Sequence, residues 1–180
     1  MIIFVNQYKI FGMEQNRREV IYQMSLNAII AALYAILTIV LSPIAYGAIQ
    51  FRFSEILVLL CFFNRKYIYG LTLGCFIANC FSPTAPLDMP FGTTATFIAC
   101  LCIILCKHLV VAIWFPVIVN ALLVGYELTF YGEPFWMSAP FVALGELAVM
   151  VVGYIFFIFI KKNKGFMKAI RANQNTDFKF

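Results

Sequence analysis

The sequence is poor in charged residues. Only 12% of its 180 residues are Asp, Glu, Lys or Arg, and 63% are hydrophobic, whereas soluble domains have about 25% charged and about 45–50% apolar residues. A single soluble core of this length leaves much of its surface in water and cannot bury so many apolar side chains. The same composition excludes a disordered chain. The shortage of charge therefore predicts an integral membrane protein.

The usual signatures of catalysis are also missing. The sequence has no G-x-x-x-x-G-K-[ST] phosphate loop, so we expect that the chain does not hydrolyse ATP itself. Its single histidine, His108, follows Lys107, and no Ser/His/Asp or Cys/His arrangement has the spacing of a catalytic site. The six Cys lie in apolar runs, where Cys is an ordinary small hydrophobic residue, so a disulfide-stapled secreted domain is excluded too. We expect no enzyme, no cofactor and no bound metal.

Six apolar runs, each ended by polar residues, follow one another along the chain. A membrane-spanning helix needs about 20 apolar residues, and we interpret the shorter second and third runs as helices packed inside a bundle. The runs are Met24–Leu41, Phe53–Phe63, Tyr67–Phe81, Phe91–Cys106, Leu109–Tyr126 and Phe141–Ile160. The sequence therefore predicts an all-α protein with six transmembrane helices in residues 24–160, an N-terminal extension in 1–23 and a basic tail in 161–180.

Basic residues determine the predicted orientation. Lys and Arg concentrate on the cytoplasmic side of membrane proteins. If six spans place both termini in the cytoplasm, Arg52 alone of the 13 basic residues lies outside. A five-span topology would put one of the two terminal basic clusters outside. We therefore predict a multi-pass protein of the bacterial plasma membrane, with both extensions in the cytoplasm.

Acidic residues mark the candidate binding site. An ionisable group within a span is costly and usually faces a cavity or a partner. Glu127 closes the fifth run, Asn120 lies two turns earlier on the same helix face, and Glu146 lies about 9 Å inside the outer end of the sixth run. Asp88 is in the polar segment at the same outer level. We predict that Glu127 and Glu146 line one outer cavity with Asn120 beside them.

Two further features at this level allow either a structural or a functional interpretation. Arg52 and Glu55 are three residues apart, so they form either an ion pair or part of the site. Trp136 belongs to an aromatic, turn-rich segment between the last two runs. Such side chains are ordinarily interface anchors, but they also offer stacking faces to a planar ligand.

Small residues form ridges on the first and third runs. Ala28 with Ala32, and Ala31 with Ala35, are spaced four apart on the first run, and Gly74 continues a similar series on the third. Such ridges let two helix backbones approach closely. The neighbouring helix belongs either to the same chain or to a partner.

Several segments, in order along the chain, resemble the QueT family of queuosine-precursor substrate-binding (S) components of energy-coupling factor (ECF) transporters. The resemblance covers about residues 24–160 and leaves out both extensions. The matching segments are Asn27–Tyr34, Gly47–Glu55, Phe62–Tyr67, Gly70–Asn79, Val119–Asn120 and Gly145–Glu146.

This resemblance implies a six-helix S component that binds its ligand near the outer face. It also implies docking, through alanines of the first helix (Ala28, Ala31, Ala32 and Ala35), onto a transmembrane coupling (T) subunit powered by two cytoplasmic ATPase subunits. The implied ligand is a 7-deazaguanine base, meaning queuine or its aminomethyl or cyano precursors. The substrate-binding residues are then drawn from one set: Arg52, Glu55, Asn79, Asp88, Asn120, Glu127, Trp136 and Glu146.

Three alternatives remain open. The same architecture could bind another vitamin, provided that it is neutral or cationic, because the predicted site is acidic. A stand-alone carrier or channel would need polar residues through both leaflets, whereas the acids here cluster at one level. A membrane enzyme would need a nucleophile or a metal set on the cytoplasmic turns, and the sequence shows neither.

Overall fold

The computed structural model describes residues 2–45 and 51–173, and every regular element in these two ranges is a helix. The prediction of an all-α protein is confirmed. The α-helices are α1 (Ile2–Val40), α2 (Ser42–Ala45), α3 (Leu60–Phe63), α4 (Tyr67–Asn79), α5 (Ala85–Leu105), α6 (Leu109–Ala112), α7 (Trp114–Leu128), α8 (Phe135–Ile160) and α9 (Lys164–Ala169). Two 3₁₀ helices, Phe53–Leu59 and Thr129–Tyr131, lead into α3 and follow α7.

Four helical segments are long and apolar enough to cross a membrane. They are Asn16–Val40, Ala85–Leu105, Leu109–Tyr131 and Phe135–Ile160. The other two predicted spans are shorter apolar helices, Phe53–Phe63 and Tyr67–Asn79. A 3₁₀ helix rises about 2.0 Å per residue, so the first of these extends about 20 Å in 11 residues, less than the ~30 Å of a bilayer core. The structure therefore supports a membrane-embedded helical protein, and six spans remain a prediction.

Two helices begin earlier than the apolar runs suggest. α5 begins at Ala85 and α8 at Phe135, and both contain a proline in their second turn, Pro90 and Pro140. A proline there removes one backbone hydrogen bond without ending the helix. Glu146 consequently lies roughly 16 Å from the start of α8, deeper than the predicted 9 Å. Asp88 is in the first turn of α5 rather than in a loop.

The main helices pack as neighbours in a bundle: α1 against α4, α4 against α5, α5 against α7, and α7 against α8. Glycines bring α1 and α4 close together. A Cβ atom added at Gly74 would lie 2.7 Å from the Ala31 carbonyl oxygen, and one at Gly70 would lie 2.5 Å from the Asn27 carbonyl oxygen. The small-residue series on the third run is thus used for packing within this chain.

One end of the bundle holds most of the basic residues that the structure describes, together with the described parts of both extensions. α1 continues without a break from the N-terminal extension into the first span. The tail packs against it, because the Tyr22 hydroxyl donates to the Ala169 carbonyl (3.0 Å) and Arg171 forms an ion pair with Glu19 (3.0 Å). Asn64 Nδ2 also donates to the Arg171 carbonyl (3.0 Å). We call this the basic end; residues 174–180 of the predicted tail lie outside the described residues.

Candidate functional site

Seven of the eight candidate binding residues are buried at the end opposite the basic end. Each of the seven is at most 4% exposed, although all are polar or charged: Arg52, Glu55, Asn79, Asp88, Asn120, Glu127 and Glu146. They come from the first 3₁₀ helix and its N-cap, the C-terminal turn of α4, the first turn of α5, the middle and C-terminal turn of α7, and the N-terminal half of α8. Trp136, the eighth, is 84% exposed in the first turn of α8, so the structure places it on the surface.

Glu55 is held at the centre of the bundle by two hydroxyl groups. The Tyr34 hydroxyl of α1 and the Thr96 hydroxyl of α5 (3.1 Å) both donate to Glu55 Oε1. Its other oxygen, Oε2, is buried and accepts no hydrogen bond from the described residues. One oxygen of this carboxyl is therefore fixed by the fold, and the second is available to a ligand.

Asn79 and Arg52 meet where α4 and α5 approach each other. Asn79 Nδ2 donates to the Asp88 carbonyl (2.9 Å). A Cβ atom at Gly92 would lie 2.8 Å from Asn79 Nδ2 and 3.3 Å from Arg52 Nη1, so a larger residue there would displace the ends of these two side chains. Asn79 Oδ1 is buried and has no donor among the described residues.

Asp88 and Glu127 form a pair of neighbouring acids. Asp88 Oδ2 accepts hydrogen bonds from the hydroxyls of Ser82 and Thr84. Glu127, at the end of α7, is close enough for its charge to interact with that of Asp88. Both Glu127 oxygens are buried, and within residues 2–45 and 51–173 neither accepts a hydrogen bond.

Glu146 on α8 interacts with Asn120 on α7. Its Oε1 is also buried without a donor in the described part of the chain. The charge of Glu146 interacts with that of Glu55, and the positive charge of Arg52 reaches Glu55, Glu127 and Glu146. These interactions join the acids of four helical segments into one electrostatic unit.

The site therefore presents hydrogen-bond acceptors. The open acceptor atoms belong to Glu55, Asn79, Glu127 and Glu146. Leaving a buried polar atom unpaired is costly, and such a set suits a ligand that supplies N–H donors. Among the described residues, no three His, Cys, Asp or Glu side chains are grouped as metal ligands.

Tyr34 and Thr96 also belong to the candidate site, although the set of residues predicted from the sequence does not include them. Both are buried, at 1% and 0% exposure, and both contact Glu55. On α1, Tyr34 shares a face with Thr38, whose hydroxyl lies 2.6 Å from that of Ser54. Polar residues four apart in an otherwise apolar span were the signal that could have identified this face.

The four alanines of α1 divide into two pairs. Ala31 and Ala35 are buried, and the close approach of Ala31 to Gly74 places this pair in the contact with α4. Ala28 and Ala32 are exposed. A partner helix could reach the second pair, whereas the first already packs inside this chain.

Comparison with known proteins gives a consistent result. The family model described as QueT transporter matches residues 24–162. The protein described as queuosine precursor transporter QueT, from Lactococcus lactis subsp. cremoris (strain MG1363), is 36% identical over 151 aligned positions, and the match covers 73% of this chain and 88% of the relative. No solved structure gives a significant match.

Proposed function

This chain belongs to the QueT transporter family, and from that premise we propose that it is the S subunit of an ECF-type importer. It captures a queuosine precursor, a 7-deazaguanine base, on the outer side of the bacterial plasma membrane. Partner subunits then drive uptake with ATP. The observation that carries this proposal is the buried, acceptor-rich cluster at the end of the bundle opposite the basic end.

The orientation follows from charge. With the basic end in the cytoplasm, both termini are cytoplasmic, and six helical segments, two of them short, cross the bilayer. The cluster around Glu55, Glu127 and Glu146 then lies in the outer half of the membrane. A ligand arriving from outside reaches it without crossing the apolar core at the other end.

The chemistry of the cluster fits the proposed ligand. A 7-deazaguanine base has a carbon in place of the guanine N7 acceptor and keeps the N–H donors of its guanine-like edge. Carboxylates can accept two neighbouring donors together. We assign the seven buried residues of the cluster as substrate-binding residues and place Trp136 at the membrane interface, where tryptophan is enriched.

The sequence and the surface of α1 support the partner subunits. The chain has no phosphate loop, so energy must come from elsewhere. Ala28 and Ala32 form an exposed small-residue ridge that a transmembrane coupling subunit can approach closely. Two cytoplasmic ATPase subunits complete the proposed transporter.

Two measurements test this function. Mass spectrometry of small molecules extracted from the purified chain should find a 7-deazaguanine base, and purification after co-expression should recover the coupling subunit and both ATPases. Vesicles containing this chain alone should bind the base but not accumulate it. Accumulation driven by a proton or sodium gradient in such vesicles would contradict the S-subunit role and favour a stand-alone carrier.

A further inference from the structure

We infer that the site selects a deazaguanine base that carries a protonated amine over the same base carrying a nitrile, and that Glu127 pairs with the amine. This inference rests on the proposed function, because it concerns the ligand of the same site. Family membership does not distinguish the two bases. The hydrogen-bonding capacity and the charge of the cluster do.

The hydrogen-bonding capacity of the cluster favours a ligand rich in donors. Five oxygen atoms on four side chains are buried and lack donors in the described part of the chain: Glu55 Oε2, Asn79 Oδ1, Glu127 Oε1, Glu127 Oε2 and Glu146 Oε1. A protonated aminomethyl group brings three N–H donors and no acceptor, as a lysine ammonium does. A nitrile brings one acceptor and no donor, so it adds to the excess of hydrogen-bond acceptors that the cluster already has.

The charge of the cluster favours a cation. Four acids, Glu55, Asp88, Glu127 and Glu146, are buried at this end. Arg52 is the basic residue whose charge reaches three of them. Burying a charge is costly unless it is paired, and one arginine does not supply a partner for each of four acids. A ligand with one positive charge supplies a further partner, whereas a neutral nitrile supplies none.

Glu127 is the best placed of the four acids to hold the ammonium group. Glu55 uses Oε1 for the hydroxyls of Tyr34 and Thr96, and Asp88 uses Oδ2 for Ser82 and Thr84. Glu127 instead has two buried oxygens that accept no hydrogen bond from a hydroxyl, amide or guanidinium group of the described residues, and its side chain interacts with that of Asp88, a second acid. A cation beside two acids favours the ionised form of both.

Glu146 is left for the neutral edge of the base. It interacts with Asn120 and retains one open oxygen, Oε1. A single open carboxylate oxygen suits the N–H donors that both bases share. We therefore assign Glu127 to the amine of the ligand and Glu146 to the ring that both bases share.

The test is calorimetric titration of 7-aminomethyl-7-deazaguanine and 7-cyano-7-deazaguanine into the purified full-length protein. A charge-assisted hydrogen bond changes affinity by about 10–150-fold, so we expect the aminomethyl base to bind at least about 10-fold more tightly. Glu127→Gln should weaken binding of the aminomethyl base by a similar factor and change binding of the cyano base by less than about threefold. Glu133→Gln, an exposed acid on the neighbouring loop, is the matched control and should change neither.

Each outcome decides the inference. Equal or tighter binding of the cyano base by the wild-type protein would overturn it while leaving the proposed function intact, and this comparison needs no variant to fold. If Glu127→Gln weakened the binding of both bases equally, Glu127 would contact the ring that they share instead of the amine. If folded wild-type protein bound neither of these bases nor queuine, the proposed function would fail together with the inference.

Discussion

Replacing Gly74 by alanine should weaken the contact between α1 and α4. The added Cβ would lie 2.7 Å from the Ala31 carbonyl oxygen, 2.9 Å from Ala31 Cα and 2.9 Å from Tyr34 Cβ. The first two atoms are backbone and the third is fixed to it, so one helix must move away from the other. Overpacking of this kind costs about 1–3 kcal/mol.

Alanine is also a better helix former than glycine, by about 1 kcal/mol. The net expectation for Gly74→Ala is therefore a loss of about 0–2 kcal/mol. Gly153→Ala is the matched control, because its added Cβ would meet only the side chains of Leu59 and Ile56, at 3.1–3.4 Å. These flexible side chains can adjust, so Gly153→Ala should be neutral or more stable by up to about 1 kcal/mol.

Thermal unfolding of both variants in the same detergent measures the difference. One kcal/mol corresponds to about 2–4 °C for a chain of this size, so Gly74→Ala should melt several degrees below Gly153→Ala. Because Tyr34 donates to Glu55, the displacement should also weaken ligand binding in Gly74→Ala but not in Gly153→Ala. A melting temperature for Gly74→Ala at or above that of Gly153→Ala would refute the close-packing argument.

Three further predictions concern the partner surface, the pocket and the tail. Ala32→Trp should prevent co-purification with the coupling subunit while preserving ligand affinity. Val152→Trp, also at an exposed position, should change neither co-purification nor affinity. Wild-type yield with Ala32→Trp would refute the ridge as an interface. Glu146→Gln should weaken binding of both deazaguanine bases by about 10–150-fold in calorimetric titrations, and a change below threefold would show a purely structural role. Asn64→Ala removes the donor to the Arg171 carbonyl and should speed tryptic cleavage of the tail severalfold on a time-course gel; an unchanged rate would mean that the other tail contacts suffice.

The membrane class and the burial of the candidate acids were accessible from sequence because both follow from the cost of burying charge. Glu127 and Glu146 stand out in apolar runs, and such groups are retained only where something pairs with them. The structure places both in one buried cluster with Asn120. Their contact with a ligand stays a prediction.

Helix limits and helix faces were less accessible. Pro90 and Pro140 interrupt the apolar runs but not the helices, so counting from the first apolar residue put Glu146 too near the surface. The alanine spacing on α1 is the same for both pairs, and only the approach of α4 shows that Ala31 and Ala35 face inward. A four-residue repeat identifies a ridge without identifying its neighbour.

The tail shows a different limit of sequence reasoning. Most of its hydrogen bonds to the bundle are made through its backbone; for example, the Tyr67 hydroxyl donates to the Ile170 carbonyl and the Asn173 amide donates to the Phe63 carbonyl. Carbonyl and amide groups are the same in every residue. These bonds therefore leave no trace in the sequence, and the trace that remains is a few apolar side chains, such as the buried Ile170, in an otherwise polar tail.

The distribution of buried residues explains how the protein tolerates an acidic site within a membrane. The largest apolar side chains that are fully buried include Phe62, Phe63, Tyr67, Leu71 and Phe157, and these lie towards the basic end. The unpaired acceptors lie at the opposite end, where each one costs stability. Because the two sets are separated along the bundle, apolar packing at one end can hold the helices while the other end keeps its polar atoms open. If the proposed function holds, a ligand that supplies donors removes this cost, so the unpaired acceptors that lower the stability of the empty protein favour its binding.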